Sequence, residues 1–157
     1  MGNKTKLKEI QMVNIYLMYI QPEALGLAIN NVEAVYISDT QHFGYTFSHD
    51  QINGVFNAMS KQTTVKNLML RDIDISKVEP VTMASAISKL DELMMWRTFR
   101  TPFQSELSES QCKALFDALS KKTNLKRMVM MTKHMNQVEP ITFAKALNYL
   151  EKANFMI

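Results

Sequence analysis

The chain is predicted to fold as an α/β solenoid, with a curved parallel sheet of about six strands on one side and five helices on the other. Three observations predict this. The sequence repeats itself at a spacing of 58 to 60 residues. Six short stretches share the spacing apolar-x-x-apolar-x-apolar. Between them lie five stretches whose apolar residues recur at i, i+3, i+4 and i+7, the period of one helical face.

The repeat is visible when the chain is slid along itself. At a shift of 60, residues 47–63 (FSHDQINGVFNAMSKQT) fall on 107–123 (LSESQCKALFDALSKKT), and Val78-Glu79-Pro80 falls on Val138-Glu139-Pro140. At a shift of 58, residues 5–12 (TKLKEIQM) join the set and Pro22 falls on Pro80. The whole chain, 1–157, therefore reads as one domain of about two and a half double repeats, starting near 5–7, 63–65 and 123–125.

Each strand pattern ends in residues alternating between two faces. The patterns are Leu7/Ile10/Met12, Val32/Val35/Ile37, Val65/Leu68/Leu70, Leu90/Leu93/Met95, Leu125/Met128/Met130 and Leu150/Ala153/Phe155. The helical stripes are Leu25/Ala28/Ile29/Val32, Ile52/Val55/Phe56/Met59, Met83/Ala86/Ile87/Leu90, Cys112/Leu115/Phe116/Leu119 and Phe143/Ala146/Leu147/Leu150. Ser48 with Gln51, and Ser108 with Gln111, have the spacing of capping boxes. Pro22, Pro80 and Pro140 stand where a first-turn proline is tolerated. Gly26 and Gly54 occupy columns that hold Ala in other copies, so they read as close-packing positions. A helix joining each strand to the next implies parallel pairing with right-handed crossovers, and one helix per strand leaves all helices on one face.

The strand spacing resembles that of leucine-rich repeats, and the helix in every unit is similar to the ribonuclease-inhibitor-like subclass, over roughly residues 5–156. That resemblance implies a scaffold for binding other proteins. At the position where the family carries Asn or Cys, this chain has Ile15, Thr40, Ile73, Thr98 and Lys133. The family's asparagine ladder is absent, with Thr40 and Thr98 the nearest substitutes.

Composition excludes several classes. Apolar residues are 46% and charged residues 21%, the balance of a globular chain rather than a disordered one. A net charge of +3 is too small to argue for nucleic acid or an anionic membrane, and Glu9, Asp39, Asp72, Asp91 and Glu92 interrupt any basic inner face. A single cysteine, Cys112, excludes an internal disulfide framework and lies on a helical stripe, as a small core residue would. No signal-peptide core precedes the repeats, and a cytoplasmic protein is expected.

Chemistry is sparse. No glycine-rich phosphate loop, nucleophile elbow or metal-ligand spacing occurs, and His42, His49, Asp39 and Asp50 match no standard ligand set. The expectation is a non-enzyme without cofactor or metal. What stands out is the sheet face turned away from the helices, the concave face of the expected arch. A sheet face open to water should be mostly polar. Here alternation assigns Tyr36, Met69, Met94, Trp96, Val129 and Met131 to it, with Val13, Ser38, Arg71 and Met156. Phe43, Tyr45, Phe99 and Phe103 lie in the long connections 40–50 and 98–110, at one rim. Methionine and aromatics beside arginine are the composition of binding hot spots. The expected partner is a protein or peptide docked on these residues. Two alternatives stand beside it: a second copy covering the same face, and self-association through ends that have no polar capping repeat.

Overall fold

The computed structural model describes residues 7–15, 19–39, 47–62, 64–96, 107–121, 123–132 and 134–156. Six strands, β1 (Glu9–Val13), β2 (Ala34–Ser38), β3 (Asn67–Arg71), β4 (Glu92–Trp96), β5 (Arg127–Met131) and β6 (Lys152–Met156), form one sheet in chain order, every neighbouring pair parallel. Five helices alternate with them: α1 (Pro22–Ile29), α2 (His49–Lys61), α3 (Pro80–Ile87), α4 (Glu109–Leu119) and α5 (Pro140–Leu147). Successive helices touch, α1 against α2 through to α4 against α5.

The register keeps the predicted columns together. Met12, Ile37, Leu70 and Met95 are successive partners, and so are Gln11, Tyr36, Met69, Met94, Val129 and Asn154. In β2 to β5 the second and fourth residues are buried in a single core with the helical stripes, whereas the first and third are not. One face of the sheet is therefore covered by all five helices. The repeat also shows in the backbone: Asn14 and Asp72, one repeat apart, both take the left-handed conformation (φ 52° and 57°) after their strands. Asn and Asp tolerate that region better than most residues.

Both predicted capping boxes form. Ser48 Oγ accepts from Gln51 N and Gln51 Oε1 from Ser48 N, and Ser108 and Gln111 repeat the pair at the same distances, 3.2 and 2.9 Å. Pro22, Pro80 and Pro140 each open a helix. Gly26 and Gly54 meet across the α1–α2 contact. A Cβ on Gly54 would stand 2.7 Å from the Pro22 carbonyl oxygen, and one on Gly26 3.1 Å from Ala58 Cβ.

Some expected core positions differ. Leu7 is 62% exposed and Ala28 is exposed. Phe143, Leu147, Leu150 and Phe155 are only half-buried, and Ala153 is exposed. All of them belong to the first or last strand–helix pair, which packs against a neighbour on one side only. Val32, Leu90 and Leu150 lie beyond the ends of α1, α3 and α5, so each stripe runs into the following turn. Ile73, at the family's ladder position, is buried in the core.

Candidate binding face

The uncovered face of the sheet presents three rows. The row at the strand starts is polar except at Ala34: Glu9, Ala34, Asn67, Glu92, Arg127 and Lys152. Glu92 and Arg127 are register partners and form an ion pair of 3.2 Å, so opposite charges meet across neighbouring strands. The middle row is polar only at its ends, Gln11 and Asn154, with Tyr36, Met69, Met94 and Val129 between. The third row carries Val13, Ser38, Arg71, Trp96, Met131 and Met156.

Tyr36, Met69, Met94, Trp96, Val129 and Met131 are half-buried, while the strand residues between them are sealed in the core. Strand alternation produces this division: a side chain one residue along points to the opposite face. The large side chains shade one another, which is why they are not fully exposed. A groove of about 380 Å³ runs over the first strands, lined by Gln11, Tyr36, Met69, Met94, Glu9 and Glu92 among others. Its walls are apolar in the middle and acidic at one end.

Ser38, assigned to this face by alternation, is fully buried instead. The register sets its short side chain between Val13 and Arg71, both much longer. Arg71 keeps its place on the face, with Nε 3.6 Å from the buried Asp72 carboxylate. The β4–β5 ladder pairs Glu92, Leu93 and Met94 with Arg127, Met128 and Val129, two pairs fewer than its neighbours, so Trp96 and Met131 lie beyond its paired part. Phe43, Tyr45, Phe99 and Phe103 lie outside the described residues.

A concavity of about 770 Å³ lies on the helix side between α1 and α2. Gly26, Gly54 and Ala58 floor it, and Asn30, Asn53, Asn57, Asp50 and Lys61 rim it. It is the valley left where two helices converge closely, and its wall mixes apolar residues, Pro22, Leu27 and Ala58, with polar ones.

Reactive chemistry is limited among the described residues. No group of three or more His, Cys, Asp or Glu side chains there could hold a metal ion. His49 approaches Asp74 at 4.0 Å. Cys112 is fully buried, its Sγ 4.0 Å from Met135 Sδ, and burial pushes its thiol up to about 11. That is the behaviour of a packing residue and not of a nucleophile.

One functional pair escaped the sequence pattern. Gln51 and Gln111 do more than cap. Gln51 Nε2 donates to the Ile20 carbonyl at 2.8 Å, and Gln111 Nε2 donates to the Ile75 and Val78 carbonyls, also at 2.8 Å. Each ties its helix to the loop preceding the helix before it. The signal available was Gln at N3 in both copies, where Glu would cap equally well.

Compared with known proteins, the chain matches no family model, no curated protein and no solved structure. No helix among the described residues is long and apolar enough to cross a membrane.

Proposed function

We propose that this chain is a non-enzymatic protein-binding module built as a leucine-rich-repeat solenoid of the ribonuclease-inhibitor-like kind, working in the cytoplasm. Its partner docks on Tyr36, Met69, Met94, Trp96, Val129 and Met131, with Arg71 at the margin. Phe43, Tyr45, Phe99 and Phe103, which lie outside the described residues, join the proposed contact set on sequence grounds alone. One observation carries this reading: the sheet face away from the helices has a methionine- and aromatic-rich apolar surface, bordered by charged residues at the strand starts and by Gln11 and Asn154 at the ends of its middle row. Apolar surface of that composition beside polar residues is typical of an interface. In-line parallel strands with one helix each, repeated every 58 to 60 residues, support the solenoid assignment. Ile15 and Ile73 in place of the ladder asparagine depart from the family, and Ile73 fills core instead.

The test is photo-crosslinking from this face. A photoreactive residue at Met94 should trap a protein partner that one at Lys61, on the helix side, does not. Trp96→Ala should abolish that adduct. Equal trapping from both positions, or an adduct indifferent to Trp96→Ala, contradicts the reading.

The second reading is self-association through the same face. The methionine content favours it, since Met side chains repack readily against a copy of themselves. Molecular size over a concentration series separates the two: a dimer lost on Trp96→Ala supports it, and a constant monomer removes it.

A further inference from the structure

The open face of the sheet is complementary to itself. The register fixes its rows, so the contacts between two copies packed face to face follow from where the two-fold axis lies. Stacked sheets commonly align their strands, which leaves an axis across the strands or along them. An axis across the strands turns one sheet end for end. It sets Glu92 on Trp96 and Arg127 on Met131, charges stripped of water with nothing to pair with. An axis along the strands lays each row on itself.

Charge also fixes the position of that axis. Centred on β3 it puts Arg71 on Arg71, and centred on β4 it puts Glu92 on Glu92. Between β2 and β3 it puts Glu9 on Glu92. Like charges so placed are costly. Between β4 and β5 it wastes Met69 on Asn154 and Arg71 on Met156. Between β3 and β4 the opposed groups match. Met69 meets Met94 of the second copy, and Tyr36 meets Val129. Arg71 meets Trp96, where a guanidinium stacks on an indole face. Asn67, whose amide donates, meets the Glu92 carboxylate. Met131 meets Ser38, the short residue sunk between Val13 and Arg71. The outer strands agree, with Glu9 against Lys152 and Gln11 against Asn154.

We propose that a second copy of this chain covers the open face in a symmetric dimer, its two-fold axis parallel to the strands between β3 and β4. This rests on the reading of that face as protein-binding and adds a regulation: the dimer occupies the surface that any other partner needs. Self-complementarity selects a copy of the chain over an unrelated segment. An arched sheet holds its middle back from a facing copy, and the bulk to fill that gap is present in Tyr36, Met69, Met94 and Trp96 on β2 to β4. Six strands of five residues give a footprint of roughly 24 by 16 Å per copy. That is small for a stable interface, so the expected Kd is roughly 1–100 µM. A dimer of that strength exchanges and yields the face to a tighter partner.

Sedimentation velocity of the full chain from about 1 to 500 µM should show a monomer–dimer equilibrium. Met94→Glu puts a charge in the apolar middle row and should raise the dimer Kd at least about tenfold. Lys61→Glu, on the helix side, should leave it unchanged. Circular dichroism checks folding, and Met69→Glu replaces any Met94→Glu protein that fails to fold. A short bismaleimide reads the register. Protein carrying Tyr36→Cys, mixed with protein carrying Val129→Cys, should crosslink, because the axis opposes those positions. Neither should crosslink alone, since each position then lies three strands, about 14 Å, to the side of its own copy. Cys112 is sealed and does not compete. A monomer up to about 500 µM overturns the proposal. So does a dimer indifferent to both glutamate variants, or one that crosslinks equally in mixed and single samples. A monomer whose Met94 probe still traps another protein overturns the dimer alone. A dimer of this register that traps nothing else upholds it and counts against a separate partner.

Discussion

Replacing Gln111 with Glu separates two roles that one side chain performs. Glutamate is the usual partner of Ser in a capping box, so the helix-capping half of the interaction survives. The donor half does not. Gln111 Nε2 gives 2.8 Å bonds to the Ile75 and Val78 carbonyls, and the residue is 1% exposed. A carboxylate there faces two carbonyl oxygens with nothing to donate. Two lost bonds cost about 2 kcal/mol, and the unfavourable charge adds roughly another 1 kcal/mol, for about 3 kcal/mol at neutral pH. For a chain of 157 residues that lowers Tm by roughly 6–12 °C. Urea and thermal unfolding at pH 7 measure it, with Ser108→Ala as the capping control at about 1 kcal/mol. The buried carboxyl should hold its proton to higher pH than in the unfolded chain. The defect should therefore shrink at pH 5, where the protonated acid can donate once. Gln111→Glu within about 0.5 kcal/mol of the parent at pH 7 would refute the tether.

Gly54→Ala should destabilise by about 1–2 kcal/mol in thermal unfolding, the steric cost of a Cβ 2.7 Å from the Pro22 oxygen outweighing a helix-propensity gain of about 1 kcal/mol. Cys112 should resist alkylation at pH 8 at a rate limited by unfolding. Its folded thiol titrates near 11, above the ordinary value of about 8.5, so its contribution to stability is complete below pH 8.5 and is lost as pH rises toward 11. The alkaline fall in stability should be shallower in Cys112→Ala; identical pH profiles would count against that buried neutral thiol.

Much of this fold was legible because one structural unit is written repeatedly. Leu68/Leu70 and Leu93/Met95 announce strands by alternation, and Phe56 and Phe116 announce helices by equivalent placement in two stripes. Tertiary bonds were less legible. Nothing local in the sequence says that Gln111 reaches back 36 residues to the Ile75 carbonyl. Alternation placed Ser38 on the open face but could not show that it is buried there, because burial on such a face depends on the length of neighbouring side chains. At the ends, Leu7 and Phe155 have core composition but lack a second neighbour to bury them, a property of position in the array rather than of residue type. Of the candidate face, the position of the sheet residues from Tyr36 to Met131 followed from period two alone.

The most direct measurement of a protein-binding open face is the affinity of the crosslinked partner for the parent chain and for Trp96→Ala. A half-buried tryptophan at the centre of an interface should contribute about 2 kcal/mol, so Kd should rise roughly 30-fold with the folding transition unchanged. An unaltered Kd with an intact fold would place the partner elsewhere on the molecule.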